Sequence, residues 1–142
     1  MIDPNKRKIS LGVIGLGKRG TSLLQMLLDM EDVEVPALCE VYEDRLLHGV
    51  ELVKASGRPA PATYRSYEEL LERSDVEAVL IATSWTTHVE IAIAAMKAGK
   101  KVGMEVGGAT SLEELWALVR TYEETRVSFM MLENCCYGRH EL

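Results

Sequence analysis

One stretch constrains this chain more than any other: Gly12-Val13-Ile14-Gly15-Leu16-Gly17-Lys18-Arg19-Gly20, with an apolar run before it and a leucine-rich helical pattern after it. Gly15, Gly17 and Gly20 keep the spacing of a dinucleotide-binding turn between a strand and a helix. In such a turn the first glycine takes the chain sharply off the strand. The second lets backbone N–H groups approach a pyrophosphate, and the third lets helix and strand pack closely. The pyrophosphate then rests on a helix N-terminus, where unpaired N–H groups and the helix dipole favour negative charge. Glu40 follows Gly20 at the interval expected for a carboxylate that holds the adenosine ribose, and a carboxylate there repels a 2′-phosphate, so the pattern predicts NAD over NADP.

Apolar runs and helical periods alternate along the rest of the chain, the pattern of strand-helix units that build a parallel sheet. Strands are predicted at Lys8 to Ile14, Val33 to Cys39, Ala62 to Tyr64, Val76 to Thr83, Lys101 to Met104 and Val127 to Leu132. Ala78-Val79-Leu80-Ile81-Ala82 has no polar alternation, as a strand covered on both faces requires. Stripes at Leu23, Leu24, Leu27 and Leu28, at Leu46, Leu47, Val50 and Val53, and at Val89, Ala92, Ile93 and Met96 mark helices. Gly57 and Gly99 supply two helix stops. Capping boxes are expected at Ser66 with Glu69, at Thr87 with Glu90 and at Ser111 with Glu114. The expected fold is α/β: a Rossmann doubly wound parallel sheet of about six strands with helices on both faces.

At 142 residues the chain suits a single dinucleotide-binding domain spanning 1–142, with nothing left to build a substrate or assembly domain. The net charge of −6, with Lys6-Arg7-Lys8 the one short basic cluster, argues against a nucleic-acid surface. No apolar stretch approaches the roughly 18 residues of a membrane span, and no secretory h-region opens the chain, so a cytoplasmic protein is expected. Cys39, Cys135 and Cys136 lack metal-ligand spacing and read as reduced thiols. Cys39 reads as a small core residue, and a vicinal bridge between the other two is geometrically awkward.

In a doubly wound sheet the ligand lies beyond the carboxyl ends of the strands. That rule selects Gly15 to Gly20, Glu40, the segment Ala82-Thr83-Ser84-Trp85-Thr86-Thr87-His88, Glu105-Val106-Gly107, and Glu133-Asn134. Lys18 and Arg19 either touch phosphate or stay solvated while their backbone binds; backbone binding with partial contact from Arg19 is preferred. Trp85 either covers the nicotinamide side of the crevice or plugs the edge of the core. His88 is either a surface or capping residue or a cofactor contact. Asn134 is either a turn residue or an amide suited to a ribose or carboxamide. Trp116, inside a helical stripe, reads as core.

With these residues assembled, the chain resembles the N-terminal domain of the Gfo/Idh/MocA oxidoreductases. The carrying segments are Ile81 through His88, then Ala94-Ala95-Met96-Lys97-Ala98-Gly99-Lys100-Lys101-Val102, then Glu105. Sugar dehydrogenases of that family have Glu-Lys-Pro where this chain has Glu105-Val106-Gly107. The chain is similar instead to the branch of NAD-dependent α-N-acetylgalactosaminidases, through Ala37 to Arg45, Trp85 to His88, Glu105-Val106 and Met130 to Tyr137. It departs from that branch at Gly107, Gly108, Glu40, Thr86 and Thr87.

The resemblance implies that Lys18, Arg19, Glu40, Trp85, Thr86, Thr87, His88, Glu105, Val106 and Asn134 contact NAD. It also implies a hydrolysis that borrows redox chemistry: a hydride leaves sugar C3 for NAD, the ketone acidifies the C2 proton, the glycosidic oxygen is eliminated, water adds and the hydride returns. Catalytic residues are not assigned, and the sugar would be bound by the longer enzyme. Three readings follow: the cofactor domain of such a glycosidase, separated from its substrate domain and inactive alone; a sugar or inositol dehydrogenase domain; and a noncatalytic NAD-binding module. The fragment is expected to be monomeric and the full-length enzyme homo-oligomeric.

Overall fold

The computed structural model describes residues 7–133. Strands and helices alternate through it: β1 (Ile9–Ile14), α1 (Lys18–Leu28), β2 (Val33–Cys39), α2 (Glu43–Ala55), β3 (Ala62–Tyr64), α3 (Tyr67–Leu71), β4 (Ala78–Ile81), α4 (Trp85–Lys97), β5 (Lys101–Glu105), α5 (Leu112–Thr125) and β6 (Phe129–Leu132). The strands form one sheet in the order β3-β2-β1-β4-β5-β6, and every neighbouring pair is parallel. The chain reverses its direction of travel across the sheet between β1 and β4, which places a crevice beyond their carboxyl ends.

Two apolar layers flank the sheet because successive side chains of a strand point to opposite faces. Val13 and Leu80 join the layer under α1 and α2, with Leu24, Leu46 and Val53. Ile14, Val79 and Ile81 join the layer under α3, α4 and α5, with Leu70, Ala92, Met96 and Leu118. In β2 the alternation is interrupted: Val33, Val35 and Leu38 share one layer while Ala37 and Cys39 share the other. The pairing explains it, since Ser10 faces Glu34 but Gly12 faces Ala37, so β2 carries one extra residue around Pro36. A bulge is where a strand tolerates proline, which cannot donate to the ladder.

Several expectations are corrected in detail. β4 is shorter than Val76 to Thr83, and β6 begins two residues after Val127. Leu47 is exposed, and Gly49 takes the buried place on α2, with Leu16 too near to admit a Cβ. α4 opens at Trp85 behind Ser84, so Thr87 and Glu90 lie inside the helix and form no capping box. Ser66 precedes α3 but caps no backbone N–H; its hydroxyl binds Glu68 instead. At the Ser111 box, Ser111 Oγ accepts from Glu114 N at 3.2 Å, and the Glu114 carboxylate accepts from Thr110 N.

Trp116 is not in the core. α5 carries two apolar faces, and Leu112, Leu115, Trp116, Val119 and Tyr122 occupy the exposed one, while Leu118 turns inward. On the opposite side of the sheet, Leu23, Leu27, Leu80, Phe129 and Leu132 line an apolar groove of about 470 Å³. Among the described residues no helix is long and apolar enough to cross a membrane, and no cluster of His, Cys, Asp or Glu is arranged to hold a metal.

Candidate functional site

The glycine turn sits where β1 delivers it, at the centre of the sheet's carboxyl rim. Gly15 has φ of +93°, and a Cβ there would stand 2.7 Å from the Ala82 backbone at the end of β4. Only glycine combines that dihedral with that approach. Gly15 N donates to Cys39 O at 2.8 Å, tying the turn to the end of β2. A Cβ on Gly20 would lie 2.0 Å from Gly15 O, so α1 presses directly on the turn. Gly17 differs: the nearest atom to its position is Arg45 Nη1 at 3.8 Å, and the residue lines the cavity beside it. As N-cap of α1 it offers no capping side chain, and the first turn carries no acid, which leaves the helix end receptive to an anion.

A cavity of about 510 Å³ opens from this turn. Gly15, Gly17, Glu40, Thr83 and Thr87 line it together with Cys39, Tyr42, Arg45, Arg65, Tyr67, Glu90 and Ile91. Glu40 is 6 % exposed, not a loop carboxylate in solvent. Its Oε2 accepts from Leu16 N at 2.7 Å and its Oε1 from Tyr42 N at 3.1 Å. Each carboxylate oxygen has two acceptor sites, so both retain one for a ribose hydroxyl. Arg45 stacks over the Tyr42 ring at 4.5 Å, and Arg65 donates to Val41 O at 3.0 Å. Thr87 Oγ1 donates to Thr83 Oγ1 at 2.8 Å, and Ser84 Oγ lies 3.2 Å from Thr86 Oγ1, which knits the start of α4 to the end of β4.

The other predicted residues stand outside this cavity. Arg19 Nη2 and Nε bind Glu105 Oε1 at 2.8 and 3.0 Å, and Val106 N donates to Glu105 Oε2 at 3.2 Å. Lys18 faces a shallower depression shared with Arg45 and His48. Trp85 is exposed and plugs no core edge. Its indole lies over Gly107, whose φ of +114° and lack of a Cβ leave it room; a Cβ there would meet Trp85 Cδ1 at 2.4 Å. His88 is neither at the surface nor a cap. It is 1 % exposed, its Nε2 lies 3.1 Å from Thr83 O, and its Nδ1 has no partner. A carbonyl only accepts, so Nε2 carries the proton, and burial holds the imidazole below its ordinary pKa and neutral. Burial likewise pushes the Cys39 thiol up to about 12. Asn134, Cys135 and Cys136 lie outside the described residues.

The sequence reading missed Tyr42, Arg45, Arg65, Tyr67 and Glu90 as cavity residues. The signal for them lay in the strand-end rule, applied to the loops after β2 and β3 and to the first turns of α4. The chemistry of the set fits one half of a dinucleotide: an uncapped helix end for phosphate, a braced carboxylate for ribose, and a mostly apolar slot for a flat ring.

Residues 9–133 match the family model GFO_IDH_MocA, described as an oxidoreductase family with an NAD-binding Rossmann fold. A protein named alpha-N-acetylgalactosaminidase from Bacteroides fragilis is 43 % identical over 132 residues, which is 91 % of this chain and 31 % of that protein. A glycosyl hydrolase family 109 protein from Streptomyces filamentosus is also 43 % identical, over 94 % of this chain and 28 % of its own length. The chain thus spans under a third of these two curated relatives. Among solved structures, scyllo-inositol dehydrogenase from Lactobacillus casei with bound NAD(H) and scyllo-inositol superposes with a TM-score of 0.79 at 19 % identity, covering 88 % of this chain and 36 % of that one, and shares the fold. A probable dehydrogenase from Thermotoga maritima matches with a TM-score of 0.77 at 32 % identity, over 87 % of this chain and 35 % of that one.

Proposed function

The chain belongs to the Gfo/Idh/MocA oxidoreductase family and carries its NAD-binding Rossmann domain, and from that premise we propose that it is the cofactor half of a redox-assisted glycosidase acting on N-acetylgalactosaminides. The observation that carries the reading is the cavity beside Gly17, whose walls suit the AMP half of NAD and end before Trp85, Glu105 and His88. The 43 % identity to an alpha-N-acetylgalactosaminidase supports the substrate class.

NAD, when bound, supplies a hydride acceptor that can return the hydride to the same sugar. This chain's residues hold and orient it. Gly17 and the first N–H groups of α1 take the pyrophosphate, Glu40 takes the adenosine ribose, and Thr83 and Thr87 line the slot. Glu105 and Trp85 border the nicotinamide side, with Val106 beside them and Asn134 following β6. Val106 cannot move a proton, and on this reading the acids and bases that act on the sugar lie in the more than two thirds of the relatives' length that this chain does not span. On this reading the chain alone binds NAD without turnover and works in the cytoplasm, and the oligomer forms through the rest of the enzyme.

Calorimetric titration with NAD and NADP tests the cofactor half, and hydrolysis and NADH-release assays on an N-acetylgalactosaminide test the chemistry. NAD binding without turnover by this chain, and hydrolysis without net NADH by the longer enzyme, are the expected results. Net NADH formation from a sugar selects a dehydrogenase instead, the reading that the Thermotoga maritima match favours. No binding of either dinucleotide refutes the cofactor role of this chain alone.

A further inference from the structure

Part of the lining of the cofactor cavity comes from two helices, α3 and α4. Tyr67, the first residue of α3, donates its hydroxyl to Glu90 Oε1 of α4 at 2.7 Å, and both side chains line the cavity with Ile91 and Thr87. A dinucleotide whose pyrophosphate lies at Gly17 and whose ribose lies at Glu40 has its base to seat against the rest of this lining. The lining is predominantly apolar, as a flat ring requires, with Ile14, Ala82 and Ile91 contributing carbon. Among the polar residues of the lining, Tyr67 and Glu90 are bonded to each other across two helices.

We infer that Tyr67 and Glu90 read the exocyclic amine of adenine and reject a base with a carbonyl at that position. The inference rests on the cofactor reading above and names the base selectivity of the same site. Its chemistry is the donor and acceptor count. Tyr67 has one hydroxyl proton and spends it on Glu90, so its oxygen is left as an acceptor. An ionised Glu90 has acceptors only. The first cause acting on the Tyr67 phenol is its hydrogen bond to Glu90, which raises its pKa and keeps the proton in place. The pair therefore presents acceptors alone. The 6-amino group of adenine brings two N–H donors to such a wall. The 6-oxo group of hypoxanthine brings lone pairs against lone pairs, an unfavourable juxtaposition at a wall whose Glu90 is exposed.

The test compares NAD with nicotinamide hypoxanthine dinucleotide, which differs only at the base, by calorimetric titration of the wild-type chain and of Glu90→Gln. The glutamine carbonyl still accepts from Tyr67, so the tie between α3 and α4 persists and the melting temperature should hold. Its amide nitrogen, however, places donors where the carboxylate placed acceptors. Wild type should bind NAD at least about tenfold more tightly than the hypoxanthine analogue, a ratio worth about 1.4 kcal/mol. Glu90→Gln should bring the two affinities within about threefold of each other. A purely structural role for the pair would leave the ratio unmoved. Equal wild-type affinities, or an unchanged ratio in Glu90→Gln, overturn this inference alone. Failure of the wild type to bind either dinucleotide overturns the cofactor reading and this inference with it.

Discussion

Arg19 and Glu105 form an ion pair that fastens the first turn of α1 to the end of β5, with Nη2 and Oε1 2.8 Å apart. The two side chains differ in setting: Arg19 is 44 % exposed and Glu105 13 %. A pair open to solvent on one side contributes little to stability, up to about 1 kcal/mol. Its larger effect is electrostatic, because without Arg19 the Glu105 carboxylate stands without a cation near the end of α1 that is proposed to take phosphate. Arg19→Ala should shift chemical denaturation by about 1 kcal/mol or less. It should weaken NAD by about tenfold, equivalent to about 1.4 kcal/mol. An affinity that stays level while stability falls would make the pair a structural strut.

Glu40, proposed to take the adenosine ribose, is tied to the glycine turn through Leu16 N, so its loss should act twice. Glu40→Ala leaves a buried N–H without its acceptor, at a cost of about 1–3 kcal/mol. The same change removes the negative charge proposed to repel a 2′-phosphate. Titrations of the variant should give weaker NAD binding and an NAD to NADP ratio closer to one. A ratio equal to wild type would take Glu40 out of cofactor selection and leave it the bracing role alone.

Gly20 and Gly17 should respond differently to the same methyl group. At Gly20 an added Cβ meets Gly15 O at 2.0 Å, and backbone cannot move aside as a flexible side chain does. Gly20→Ala should cost about 3 kcal/mol, the upper end of overpacking, and show it as a lowered melting temperature. At Gly17 the nearest atom lies 3.8 Å away, so Gly17→Ala should fold normally and bind NAD more weakly. Circular dichroism melts beside calorimetric titrations separate the two, and a stable Gly20→Ala would contradict the packing described.

His88 makes stability depend on pH with a definite sign. Burial holds its imidazole neutral and below the ordinary value of 6.5, whereas the unfolded chain protonates it near that value. The unfolded state therefore takes up the proton first, and the stability that the neutral ring secures above pH 6.5 is lost as pH falls from there toward the lowered folded value. Melting temperatures from pH 7.5 to 5, recorded for wild type and His88→Phe, should show a steeper acid loss in the wild type. Parallel curves would mean that the ring takes up its proton inside the fold.

The turn, the carboxylate and most strands were legible because each is local. A glycine triplet between an apolar run and a helical stripe, or Ala78 to Ala82 without polar alternation, carries its structural reason in adjacent residues. Features decided by distant partners were not legible. Thr87 and Glu90 have capping-box spacing, yet Ser84 ends the strand turn three residues earlier and Glu90 is claimed by Tyr67 from another helix. Trp116 lies in an apolar period, but α5 has two such faces, and only packing against α4 and the sheet decides which one is buried. The extra residue of β2 near Pro36 is fixed by its pairing with β1, a distant partner.

Because the six described strands all run the same way, the cofactor cavity lies at one rim of the sheet. The turns at Gly57 and Gly99 belong to the opposite rim, each following a helix that has left the cofactor end, and neither glycine has an atom within 4 Å of where a side chain would begin. A dye, a surface tether or an affinity tag grafted near either turn would sit a full strand length from Gly17 and Glu40. The protein is thereby suited to immobilisation as a dinucleotide sensor, with its binding edge facing solution and its attachment chemistry facing the support.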